Sequence, residues 1–145
     1  MFSRILVPTD GTERAVQALD TALRLAALCG GHVIAVHASP PPYVMARELG
    51  LAAPIHEGWQ REREQLGQDA VAYVRRRAGE AGVICETLLA PGLAPHDAIA
   101  RIAREQRCDL IVMASRGRGG LAGRLIGSET WKVVSHSAVP VLVLR

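Results

Sequence analysis

Two short stretches carry residue types suited to chemistry rather than packing. The first, VPTDGT (Val7 to Thr12), sets a carboxylate, Asp10, just past an apolar run. The second, ASRGRGGLAGRLIGS (Ala114 to Ser128), gathers five glycines and three arginines in fifteen residues directly after LIVM. Glycines at 117, 119, 120 and 123 let a backbone curl close to a ligand without Cβ clashes. Arg116, Arg118 and Arg124 offer cationic, bidentate donors matched to phosphate oxygens. Gly127-Ser128 opens a helical pattern, whose unpaired N–H groups and positive dipole end face the same space. Ser128 can cap that helix with its hydroxyl or turn it toward a phosphate. Two readings follow, a cradle for an anion with several oxygens or a flexible surface loop. Asp10 also has two: a carboxylate that accepts from ribose hydroxyls, an amino group or hydrated Mg²⁺, or half of a turn-forming Asp-Gly pair.

Other chemistries fail on spacing. A Walker A loop needs Gly-Lys-Ser/Thr, yet the one lysine, Lys132, follows Trp131. GRGGLAG is not GxGxxG, and no GxSxG nucleophile motif occurs. Three cysteines at long spacings, Cys29, Cys85 and Cys108, form no CxxC pair, so neither a disulfide framework nor a zinc site is indicated. Each sits at or near the end of an apolar stretch, where a buried reduced thiol is expected. His37, inside an apolar run, reads as a packed or hydrogen-bonded residue rather than a catalyst. Arg75, Arg76 and Arg77 close a helical pattern, where cations complement the dipole.

The charge balance narrows the partners. Sixteen arginines and one lysine leave a net charge of only +3, small for a nucleic-acid binder, whose basic residues should cluster on one face. No apolar run approaches membrane-spanning length, and the N-terminus lacks an apolar signal core. The expectation is a cytoplasmic protein with neither nucleic-acid nor membrane partners, folded as one domain over residues 1–145.

The elements that must position these residues alternate between strand and helix, the signature of a parallel α/β sheet. Five apolar runs read as strands: Arg4 to Pro8, His32 to Ala38, Val83 to Leu89, Asp109 to Ala114 and Val139 to Leu144. Their near-continuous apolar character suits strands covered on both faces. Helices are expected from Thr12, as N-cap, to about Cys29; from Glu57 to about Ala81; from about Pro95 to Gln106; and from Ser128 to about His136. Ser39 to Glu57 reads as one long irregular connection, a lid or a disordered insertion. Only strand-to-helix loops reach the carboxyl edge of such a sheet, where ligands bind. Both chemical stretches are loops of this kind.

The segments RILVPTDGTERAVQALDTALRLA, HVIAVHA, CDLIVMASRGRGG, GS and VPVLVLR together resemble the universal stress protein family over nearly the whole chain, except Ser39 to Glu57. In its ATP-binding members a glycine, two residues, a second glycine, nine residues and Gly-Ser or Gly-Thr follow the fourth strand. That register falls here on Ala114, Gly117, Gly127 and Ser128, so three of four positions match. The resemblance implies a five-stranded parallel open sheet ordered 3-2-1-4-5 with helices on both faces. It implies ATP, AMP or ADP, with Mg²⁺ accompanying the nucleotide, between the first and fourth strands. The nucleotide-binding set is then Pro8, Thr9, Asp10, Ala38, Met113, Ala114, Arg116, Gly117, Arg118, Gly127, Ser128 and Glu129, with phosphates against Gly117, Gly127 and Ser128. A homodimer through Val139 to Leu144 and a stress-sensing or regulatory role are implied as well.

The departure is Ala114, which costs on the order of 1–2 kcal/mol if that position needs positive φ. If it simply ends the strand with ordinary angles, the methyl fits. Efficient phosphoryl transfer needs a placed base that the sequence does not supply, so at most slow ATP hydrolysis or self-phosphorylation at Ser128 is expected. The alternatives are a nucleotide-free dimerisation module of the same fold, or an ATP-hydrolysing or adenylyl-transferring enzyme. The latter lacks the SGGxDS-like loop it would need.

Overall fold

Five strands form one parallel sheet in the computed structural model, which describes residues 1–48, 50, 57–115 and 126–145. They are β1 (Arg4–Pro8), β2 (His32–Ser39), β3 (Cys85–Pro91), β4 (Leu110–Ala114) and β5 (Val141–Leu144), in the order β3-β2-β1-β4-β5. The helices are α1 (Glu13–Cys29), α2 (Pro42–Glu48), α3 (Glu57–Glu80), α4 (Pro95–Glu105) and α5 (Ser128–His136).

Alternate side chains of the central strands serve two separate cores. Ile5, Val7, Val33, Ala35 and Val112 pack with α1 and α3, while Leu6, Ile34, Val36, Ile111 and Met113 pack with α4 and α5. Burial on both faces explains why these strands read as unbroken apolar runs. Each Val, Ile or Leu taken fully out of water contributes about 1.5–3 kcal/mol. α1 follows its sequence pattern closely. The Thr12 hydroxyl accepts from the Ala15 N–H at 3.4 Å, Ala15, Leu19, Ala22, Leu23 and Ala26 are buried, and Gly30 closes the helix at φ 64°.

Several expected boundaries shift. β3 begins at Cys85 rather than Val83, because the Val83 N–H is taken by the Ala78 carbonyl at the end of α3. β5 begins at Val141 rather than Val139, since Pro140 brings no N–H to a ladder. The connection expected to be irregular from Ser39 to Glu57 contains α2, with Pro42 at its first position, where the missing N–H costs nothing. The lid-or-insertion reading otherwise falls on residues 49 and 51–56, outside the described residues. Leu66, assigned to the inner stripe of α3, is 39% exposed. All three cysteines are free, but only Cys108 is buried. Burial pushes the thiols of Cys85 and Cys108 up to about 11, so both are protonated and poor nucleophiles near neutral pH. Among the described residues no helix is long and apolar enough to cross a membrane.

Candidate functional site

β1 lies between β2 and β4, so the chain leaves it toward one side and later returns on the other. At such a reversal an open parallel sheet offers a ligand crevice beyond the carboxyl ends of its strands. The loop after β1 is pinned before it turns. Pro8 pairs with Val36, the Thr9 N–H donates to the Val36 carbonyl at 2.8 Å, and the Thr9 carbonyl accepts from His37 Nδ1 at 2.9 Å. His37 is therefore the hydrogen-bonded packing residue the sequence suggested. Asp10 Oδ1 accepts from the Thr12 N–H at 3.0 Å and from its hydroxyl at 2.6 Å. Gly11 at φ 77° makes that turn accessible. Asp10 is thus a turn former whose carboxylate is held at the sheet edge, so its two sequence readings are compatible.

On the other side of the crevice, Met113 and Ala114 end β4, with Ala114 opposite Leu144. Among the described non-glycine residues only Arg107 has positive φ, so the Ala114 methyl meets no backbone penalty. Three bonds then organise this strand end, one tying it to β5 and two docking the start of α5 onto it. Ser115 N–H donates to the Leu144 carbonyl at 2.6 Å, Gly127 N–H to the Ser115 carbonyl at 2.8 Å, and the Thr130 hydroxyl to the Ala114 carbonyl at 3.1 Å. Residues 115 and 127 are therefore neighbours in space.

Gly127 is the N-cap, at φ −61° and ψ 153°, and no side chain caps the helix. Ser128, which the sequence offers as a capping hydroxyl or a phosphate contact, is the first helical residue. In a helix opening there, the N–H groups of Ser128, Glu129 and Thr130 have no intrahelical acceptor. The result is an uncapped positive helix end beside the carboxyl end of β4.

Glu129 is committed to a neighbouring element. Its Oε2 accepts from the His96 N–H at 3.1 Å and from His96 Nδ1 at 2.8 Å, and its Oε1 accepts from Lys132 Nζ at 2.8 Å. Partial burial raises the Glu129 carboxyl, but the bonds from Lys132 and His96 outweigh it and hold the group below the usual carboxylate range. Contact with a ligand would therefore come from the Glu129 N–H. His96 and Lys132 were not among the expected site residues. The available signal was Ala94 before Pro95, a helix start without a capping side chain.

Of the expected site residues, Pro8, Thr9, Asp10, Ala38, Met113, Ala114, Gly127, Ser128 and Glu129 come from the carboxyl ends of β1, β2 and β4 and the first turn of α5. Arg116, Gly117 and Arg118 lie outside the described residues. Two cavities flank this edge. One of about 300 Å³ lies between α1 and α3 and reaches Thr9 and Gly11; another of about 370 Å³ lies between α3 and the ends of β2 and β3. Among the described residues no group of three or more His, Cys, Asp or Glu is placed to hold a metal ion.

Residues 1–145 match the model of the Universal stress protein family. Universal stress protein YxiE of Bacillus subtilis is 32% identical over the full length of both chains. The solved structure of protein MJ0577 of Methanocaldococcus jannaschii superposes with a TM-score of 0.83 at 26% identity, over 99% of this chain and 96% of that one. A universal stress protein solved in complex with cAMP superposes with a TM-score of 0.69 at 27% identity, over 99% of this chain and 97% of the other.

Proposed function

The chain belongs to the universal stress protein family, and on that premise we propose that it binds an adenine nucleotide across the crevice between β1 and β4 and acts as a nucleotide-dependent regulator. The observation that carries this reading is the docking of α5. The bonds from Gly127 to Ser115 and from Thr130 to Ala114 set an uncapped helix N-terminus against the strand next to β1. Such an end favours a phosphate. The Asp10 carboxylate, fixed by Thr12, stands on the β1 side, where it would accept hydrogen bonds from the ribose hydroxyls. The main chain at Ala38, near the end of β2, is the place for the adenine edge. Arg116, Gly117 and Arg118 would close on the phosphates from the intervening segment. The cAMP complex of a relative at 27% identity supports the ligand class.

Mg²⁺ would be held chiefly by the phosphates, with Asp10 reaching it through water. The expected nucleotide-binding set names no residue as a general base for phosphoryl transfer, so regulation rather than rapid turnover is the reading. The chain is placed in the cytoplasm and as a homodimer by the same reading.

Calorimetry and thermal unfolding with ATP, AMP and cAMP test the proposal. At about 100 times its dissociation constant, the preferred nucleotide should add about 2.7 kcal/mol. For a chain of this size that corresponds to a rise in Tm of roughly 5–10 °C. An unfolding transition that ignores all three nucleotides sinks the reading in favour of a nucleotide-free module.

A further inference from the structure

The cavity between α3 and the carboxyl ends of β2 and β3 lies on the opposite side of β2 from the nucleotide crevice, and its walls suit a different ligand. Its volume of about 370 Å³ is in the range of small-molecule sites. One side is apolar, with Leu89 and the prolines 40, 42 and 91. The other is formed by Trp59 and Arg63, one turn apart on α3, with the guanidinium carbon 5.6 Å from the indole centroid. Arg63 Nε is buried and has no hydrogen-bond partner among the described residues. A buried charged donor without an acceptor carries a desolvation cost. Arg63 as a whole is only part-buried and lines the cavity, so a ligand carboxylate would meet its guanidinium from the cavity side.

The floor of the cavity is rigid and shaped. The His37 ring lies there, 6% exposed, with Nδ1 donating to the Thr9 carbonyl at 2.9 Å and Nε2 3.3 Å from the Ser39 hydroxyl. Gly67 of α3 faces that ring, and a Cβ at this position would lie 2.8 Å from His37 Cδ2. Glycine inside a helix is destabilising relative to alanine. Here the missing methyl leaves the ring its place at the base of the cavity. Glu64, the one carboxylate among the lining residues, is exposed at the rim, as are Gln60 and Gln68.

We propose that this cavity is a second ligand site, distinct from the nucleotide crevice, for a small planar organic anion of the aromatic-carboxylate class. The carboxylate pairs with the Arg63 guanidinium, and the ring lies against Trp59 and Leu89. Charge-assisted bonds to a guanidinium are about twice as strong as neutral ones, so affinity should depend on both the ligand's charge and the arginine's.

Salicylate and its uncharged counterpart salicylamide are the probes, titrated into the full chain and followed by amide NMR. Salicylate should bind once, shifting the Trp59 indole and the Gly67 and Gly92 amides while leaving Gly127 in place. Salicylamide should bind about tenfold more weakly, and Arg63→Gln should weaken salicylate by a similar factor while keeping a folded spectrum. No shift at millimolar salicylate, equal binding of the amide, or indifference to Arg63→Gln overturns the proposal. So does one-for-one displacement of salicylate by AMP, which would place the probe in the nucleotide crevice. A chain that ignores AMP yet binds salicylate through Arg63 supports this site and counts only against the nucleotide reading.

Discussion

Asp10 uses one oxygen to build its own loop and presents the carboxylate at the edge where the sheet order reverses. Thr12 donates twice to Oδ1, and the same Thr12 hydroxyl caps α1 through the Ala15 N–H. Two substitutions separate these tasks. Asparagine keeps a carbonyl oxygen for Thr12 but replaces the second acceptor with a donor, so Asp10→Asn should hold stability within about 0.5 kcal/mol while weakening nucleotide binding by about tenfold. Asp10→Ala should lose the affinity and about 1 kcal/mol of stability as well, since the turn and cap lose their acceptor. Denaturant unfolding beside calorimetry distinguishes the two, and equal affinity in wild type and Asp10→Asn would remove Asp10 from the site. Residues of this kind were legible in the sequence because their partners lie within three positions. Ala114 was legible for the same reason: an alanine that continues LIVM extends a strand, and its backbone shows no positive φ. Ser128 suits either a cap or a phosphate contact by its type, and the cap position falls one residue earlier, on Gly127.

At the scale of elements, α4 and α5 share one cap. α4 starts at Ala94-Pro95 with no side chain of its own to accept its first N–H groups. Glu129, in the first turn of α5, supplies the acceptor to the His96 N–H and ties the two helix starts together. The Glu129 carboxyl lies below its ordinary value in the folded chain. Its contribution is therefore complete above the unfolded glutamate value, near pH 4.3, and is lost as pH falls through the depressed folded value. The group is over a third exposed, so solvent screening limits the effect to on the order of 0.5 kcal/mol. Glu129→Gln should accordingly be less stable than wild type at about pH 6, and the gap should narrow toward about pH 3. Urea midpoints at both pH values provide the check, and a gap that widens on acidification contradicts it.

This shared cap spans 33 residues of sequence, which is why local pattern did not show it. Helix ends marked by Thr12, Gly30 and Pro95 were readable because a nearby residue fixes each of them. Strand starts depend on the partner that takes the first N–H, so β3 and β5 each began two residues later than their apolar runs suggest. α2 was hidden by three consecutive prolines, although the first turn of a helix tolerates proline. The parallel character of the sheet was legible, because both-face burial leaves its mark on composition, whereas the strand order came from the family resemblance.

The whole sheet ends in two edges of different chemistry. β3 carries the exposed Glu86 and stops at Pro91, features that discourage another strand from adding to it. β5, with the sequence VLVL, has neither charge nor proline, and Leu142 is 36% exposed. α5, which packs beside it, exposes Trp131 at 62% and Val134 at 42%. An apolar, unprotected edge of this kind invites a second copy, and a twofold axis there would pair the two β5 strands antiparallel. The chain is therefore expected to sediment as a dimer at micromolar concentration. Leu142→Glu places like charges near the axis and should shift it to monomer, with the monomer still folded because its two cores are intact. Ile84→Glu, just before β3 and 74% exposed, adds the same charge at the opposite edge and should leave the dimer unchanged. Sedimentation velocity on the three proteins separates a β5 interface from general charge repulsion. A monomeric wild type, or dissociation by both substitutions alike, would overturn the assignment of β5 as the interface.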